Sequence, residues 1–175
     1  MVIAAQQDNR PTVPIKTIEH QEVQMLHRYR ERLTHERTAL GNRIRGYLRE
    51  VGLFLVQGLS QVRKQVPLML EDGENELTNA MRAIISRCPK KLLDLDKDIE
   101  KYTQKIEHFC QQSPVCERMM KLSGVGPIIA SAVYATMGNP THFKNGRHFA
   151  AFLGLVPKEH SSGGKQCFMS ISKRG

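Results

Sequence analysis

No aspartate follows Asp98, no two of the four cysteines are spaced as CxxC, and no apolar run approaches the length of a membrane span. Each absence removes a class of protein. Without roughly 18 consecutive apolar residues there is no candidate transmembrane helix, and the polar, Gln-containing start lacks the apolar centre of a secretory signal. Cys88, Cys110, Cys116 and Cys167 therefore read as reduced thiols of a cytoplasmic protein rather than as a disulfide framework. His108, Cys110 and Cys116 lie close in sequence, but at a spacing that matches no common zinc site. The scarcity of acid late in the chain is the most informative. From Val115 on, eight Lys and Arg stand against two Glu, so two thirds of the net charge of +9 belongs to the last third of the chain. Positive charge concentrated in this way selects a polyanionic partner, most simply nucleic acid. The plainer alternative is a basic protein kept soluble by self-repulsion.

What is present is a helical pattern. At 175 residues and 40% hydrophobic, the chain suits one or two small domains with a real core. Pro11 and Pro14 keep residues 1–16 extended, as a tail or the remnant of a linker. Thr17 is a helix cap, with Glu19 in the favoured first turn. Leu26, Leu33, Leu40, Ile44, Tyr47 and Val51 then form one long apolar stripe. Arg30 and Arg37 interrupt that seam, and Arg28, Glu31, Arg32 and Glu36 read as its solvated faces. Gly52 and Gly58 loosen the next segment, Pro67 ends or restarts a helix, and residues 71–75 make a turn. A short helix carries Leu77, Met81, Ile84 and Ile85, with Pro89 at a boundary or in a first turn. Leu92, Leu95, Ile99, Tyr102, Ile106 and Phe109 alternate three and four apart, the cleanest period in the chain. Asp94 and Asp98 lie one turn apart on that helix; on a face with Lys97 and Lys101 they read as solvated charges rather than metal ligands. The expected architecture is mainly α: long antiparallel coiled-coil helices over 17–112, with this second helix packed on the first or on a partner chain. Uncovered seams of this kind predict self-association. A small helical domain follows over 113–175.

Two segments of that last domain carry the chemistry. Leu122-Ser123-Gly124-Val125-Gly126-Pro127 separates a short helix from the Ala-rich run 128–137, the pattern of a helix-hairpin-helix. Its glycines allow a tight turn, and backbone N–H groups at the second helix's start can approach a phosphate. Such contact positions a nucleic-acid backbone without reading bases; the alternative is a plain helix–helix turn. Residues 147–153 form another short helix in which Phe149 and Phe152 read as core. Lys158-Glu159-His160-Ser161-Ser162-Gly163-Gly164-Lys165 is a flexible, cationic Gly/Ser loop. Either it contacts phosphate, or it presents a nucleophilic serine with Lys158, Lys165, Lys173 and Arg174 stabilising phosphodiester charge. No carboxylate is placed to orient His160, so a hydrolase triad is not supported.

The 122–127 segment, the run from Phe143 through Ala150-Ala151-Phe152-Leu153-Gly154-Leu155-Val156-Pro157 to Ser161-Ser162-Gly163-Gly164-Lys165, and the ending Ile171-Ser172-Lys173-Arg174-Gly175 resemble the C-terminal domain of the transposases of bacterial insertion sequence 110 and its relatives 116 and 902, including the Piv-type invertases. Val13-Pro14-Ile15-Lys16-Thr17 and the arginine-rich first helix resemble the family's middle region. The resemblance implies a DNA recombinase that works with a guide RNA and splits its chemistry between two domains. One is a RuvC-like domain whose four acidic residues bind magnesium; the other supplies a serine that joins covalently to DNA. The residue matching that serine is Ser162, since some members carry an acid at the position of Ser161. The acidic domain is expected before Val13, where twelve residues stand, so its ligands have no counterparts here, no metal is expected on this chain, and relatives continue beyond Lys173-Arg174-Gly175. The expectation is therefore a truncated or fragmentary transposase that keeps Ser162. Its phosphate contacts are Gly124, Gly126, Lys144, Arg147, Lys158, Lys165, Lys173 and Arg174. The alternative is a non-catalytic nucleic-acid-binding dimer that uses the hairpin; a third is a purely structural coiled-coil protein.

Overall fold

A computed structural model describes residues 15–155, 157–160, 162–165 and 168–171. They fall into two compact units, 15–136 and the described residues from 137 on.

In the first unit, α1 (Ile18–Glu50) starts at Thr17, whose hydroxyl accepts from the backbone N–H of His20 at 3.3 Å. That cap satisfies one of the otherwise unpaired donors of the first turn. Val23, Leu33, Leu40, Ile44 and Leu48 are buried along it. Leu33, Leu40 and Ile44 are the expected stripe, but Tyr47 is half exposed and Leu48 takes the core position instead. A straight α-helix drifts by about 20° per heptad from a seven-residue repeat, and toward the end of this 33-residue helix the accumulated drift favours Leu48 over Tyr47 on the buried face. α2 (Leu59–Glu71) returns along α1 and runs through Pro67, which neither ends nor restarts it. Val66 beside the proline is fully buried, so packing holds the helix where the ring removes one backbone donor. The turn over 72–77 is fixed by Asn75 and Arg82, whose guanidinium donates to the carbonyls of Leu70 (2.6 Å), Asp72 (2.7 Å) and Leu77 (3.1 Å).

α3 (Asn79–Ile85) leads into α4 (Cys88–Gln112), which carries Pro89 in its first turn. Leu92, Leu95, Ile99 and Ile106 are buried, and Tyr102 and Phe109 pack against the core. The pairs Arg30–Thr103 (2.7 Å) and Arg37–Asp96 (3.1 Å) step in opposite directions along α1 and α4, so the two helices are antiparallel. These pairs also explain the two arginines in the α1 seam: each reaches a polar partner on the facing helix. Asp96 accepts from Arg63 of α2 as well, which joins three helices at one carboxylate. Because both seams are filled within the chain, they no longer argue for a homo-oligomer.

α5 (Pro114–Met120) and α6 (Pro127–Met137) complete this unit. Cys110, Cys116 and Ala130 are fully buried together, with Phe109, Met119, Met120, Val125 and Tyr134 against them. This shared core is why the compact unit extends past the charge boundary near residue 113.

In the second unit, Asn145 caps α7 (Gly146–Phe152) by accepting from His148 N–H at 2.9 Å. The Phe143 ring meets Phe149 and Phe152 at 5.0 and 5.1 Å, but Phe152 is half exposed and no residue of α7 is buried, so the pair read as core forms a small aromatic cluster at the surface instead. Strands β1 (Pro157–Glu159) and β2 (Phe168–Ile171) pair antiparallel.

Candidate nucleic-acid interface

The 121–126 turn joins α5 to α6 in two steps. Leu122 N–H returns to the Met119 carbonyl at 3.0 Å, and Val125 N–H to Leu122 at 3.1 Å. Between them Gly124 takes φ +84°, a left-handed conformation that a side chain disfavours. Gly126 does not share that need: its φ is not positive, and an added Cβ would meet nothing within 4 Å. The two glycines thus have different physical reasons, one conformational and one open. Gly126 O accepts from Ala130 N–H at 2.9 Å, which begins the α6 ladder.

α6 is anchored from three sides. Ser131, fully buried, donates its hydroxyl proton to the Pro127 carbonyl at 2.7 Å and accepts from His27 Nε2 at 2.9 Å. Burial, and then the neighbouring Arg30, push the His27 imidazole below its ordinary value, so it favours the neutral form in which Nε2–H donates. His20 stacks on Tyr134 at 4.4 Å and Phe109 packs against the same ring at 5.3 Å. The Cys110 thiol donates to the Pro127 carbonyl at 3.1 Å. Desolvation pushes the Cys116 thiol up to about 11, which makes it an inert core group. His108 is exposed and pairs with Gln112, away from those thiols. Among the described residues no three His, Cys, Asp or Glu side chains come together as metal ligands. Asp94 and Asp98, read as solvated charges, are exposed.

The Gly/Ser segment differs from the flexible loop expected of it. Gly163 (φ +62°) and Gly164 (φ +80°) are the two central residues of a tight turn closed by Lys165 N–H on the Ser162 carbonyl at 3.2 Å. Two successive positive-φ residues match the right-handed twist of a hairpin, which is why glycine stands at both. Ser162 pairs with Lys165 in the same register that pairs Glu159 with Phe168. Ser162 is therefore an exposed residue at the last rung of a β-hairpin, directly opposite Lys165 and on the same face.

The expected phosphate contacts separate by position. Gly124 and Gly126 belong to the 15–136 unit; Lys144, Arg147, Ser162 and Lys165 belong to the other, all four exposed. Lys158 contributes backbone to β1. Ser161, Lys173 and Arg174 lie outside the described residues. The sequence reading missed Asp96 and the His27–Ser131 anchor. Asp96 faces two helices rather than pairing along its own, and His27 finds its partner 104 residues away, so local spacing carries no signal for either.

Residues 116–175 match the family described as Transposase IS116/IS110/IS902 family. Over 160 residues, 91% of the chain, it is 39% identical to the transposase for insertion sequence element IS1111A of Coxiella burnetii, 44% of whose length is covered. A family 20 transposase of Pseudomonas aeruginosa is 37% identical over 98% of the chain and 51% of its own length. The transposase for insertion sequence element IS1328 of Yersinia enterocolitica is 29% identical over 91% of the chain and 47% of its own. The chain thus spans about half the length of the curated relatives it matches. No solved structure matches it. Among the described residues no helix is long and apolar enough to cross a membrane.

Proposed function

We propose, on the premise that residues 116–175 carry a domain of the transposase IS116/IS110/IS902 family, that the chain acts on DNA in transposition, with Ser162 as the nucleophile and the 121–126 turn as a phosphate grip. The observation that carries the reading is the position of Ser162: an exposed hydroxyl on the last rung before a two-glycine turn, within the matched segment and opposite a lysine. The two-residue turn sets the serine opposite Lys165. In the step proposed, Ser162 Oγ attacks the phosphorus of a DNA phosphodiester. An O–P bond to serine forms, the bond to one sugar oxygen breaks, and the proton lost by Oγ is balanced by the one that the sugar oxygen takes up. Rejoining to a second strand is the reverse reaction. Lys144, Arg147, Lys158, Lys165, Lys173 and Arg174 supply the positive charge that receives the phosphates. The N–H groups at the start of α6 add the helix dipole near Gly124 and Gly126. Guide RNA is a second nucleic-acid partner under this reading.

The test is covalent trapping. The chain is mixed with insertion-element end DNA, guide RNA and magnesium, and the remaining portion of a full-length relative is supplied in trans. The expected result is a protein–DNA adduct stable to detergent that disappears in Ser162→Ala and persists in Ser161→Ala. An adduct that survives Ser162→Ala overturns the assignment.

A further inference from the structure

The C-terminal half of α1 borders a groove of about 520 Å³ that lies far along the chain from both Gly124 and Ser162. Asn42, Arg45, Gly46 and Arg49 line it from the helix, and Phe54 and Gln57 from the segment that follows. A second hollow of about 170 Å³ continues it, sharing Asn42, Arg45 and Gln57. Three features of this groove have no role in the fold. Phe54 is 72% exposed although the core lies directly beneath the segment, where Leu53 and Leu55 turn inward. Arg45 and Arg49 stand one helical turn apart, and among the described residues neither meets a carboxylate; Arg45 holds only the Asn42 side-chain amide. Gly46 stands in the last part of the 33-residue α1, four residues before its end at Glu50, without a positive φ, and a Cβ there would touch nothing within 4 Å. Glycine costs helix stability, and neither geometry nor packing asks for it here. An open stretch of backbone on a groove floor is what close approach of a ligand requires.

We infer that this groove binds single-stranded nucleic acid, with a base stacked on Phe54 and adjacent phosphates on Arg45 and Arg49. An exposed aromatic next to unpaired guanidiniums is the combination that holds single strands without reading sequence. Residues four apart on a helix sit about 6 Å from one another, a spacing that neighbouring phosphates can meet. Asn42 and Gln57 add amides able to donate to sugar or phosphate oxygens and to accept from base edges. Single-stranded RNA and DNA share the chemistry used, and the experiment has an arm for each.

Fluorescence anisotropy of the full chain with labelled oligo(U) and oligo(dT) of about 12 nucleotides reads the site directly. Phe54→Ala is expected to weaken binding roughly tenfold. Arg45→Gln with Arg49→Gln is expected to lower the slope of log K against log salt by about 1.4, two phosphates' worth for a single strand. Phe54 and Arg49 are exposed and Arg45 is partly buried, so circular dichroism checks that the helices persist. Gly46→Gln, which fills the open floor, should weaken binding while raising the melting temperature. The same losses in a Gly126→Val background separate the groove from the proposed hairpin grip. A stronger effect on oligo(U) identifies RNA as the ligand, and a stronger effect on oligo(dT) identifies DNA. Wild-type affinity and salt slope in the Phe54 and double-arginine variants overturn the inference, as does polyglutamate competing as well as the oligonucleotides.

Discussion

Gly124 and Gly126 look alike in sequence and differ in what they do, so their substitutions should part company. Gly124→Ala places a Cβ at φ +84° and is expected to cost about 1–2 kcal/mol. Gly126→Ala should leave stability within about 0.5 kcal/mol and act only on phosphate binding, if a phosphate approaches there. Urea unfolding with a parallel binding titration checks both. His27 supplies a pH-dependent prediction. Its folded-state value lies below the ordinary 6.5, so the unfolded chain binds the proton more readily. Stability is fully present above about pH 6.5 and is lost as pH falls from there to the lowered folded value. The melting temperature should therefore drop on acidification across that window, and His27→Gln should flatten this part of the drop. These residues also mark the limits of the sequence. Thr17 was legible as a cap because its bond is local. His27 was not, since its partner is on a helix that only tertiary folding brings near.

At the scale of elements, the α1–α4 pair was readable because a long apolar period survives whatever it packs against. The Leu92–Phe109 seam lies where its period puts it, while the α1 stripe slips at Tyr47 and Leu48 as the straight helix drifts off the heptad. Pro67 was misread as a boundary: the local penalty of proline is real, but Val62 and Val66 are buried on that helix and outweigh it. The three-helix junction at Asp96 gives a measurable consequence. Asp96→Ala strands Arg37 and Arg63, each roughly a third exposed, and should cost about 1–2 kcal/mol, at the low end for charge-assisted bonds because water reaches the site. Guanidinium denaturation reads this, and its midpoint should fall without change of slope. The β-hairpin was hidden for the opposite reason. Its strands are short and lack an alternating apolar pattern, so Ser-Ser-Gly-Gly-Lys reads as a flexible loop. Gly-Gly between two short runs is the one hairpin signal it carries.

For the whole molecule, compactness and charge divide the chain in different places. The positive excess begins near Val115, yet α5 and α6 share their core with α4 and close the 15–136 unit. A fragment of residues 15–138 should therefore keep its helical spectrum and a single cooperative unfolding transition, whereas one ending at residue 112 uncovers Cys110 and Phe109 and should unfold at a lower temperature. The hairpin tip has a consequence of another kind. A strand has a parity: this ribbon takes up one irregularity between Pro157 and Glu159, after which Glu159–Phe168 and Ser162–Lys165 keep a single register up to the two-residue turn. One codon gained or lost between Glu159 and Ser162 would turn the serine hydroxyl to the opposite face of the ribbon with its chemistry intact and its aim reversed. Under the proposal that Ser162 is the nucleophile, length at this point in the gene is as strict a requirement as the identity of the serine itself.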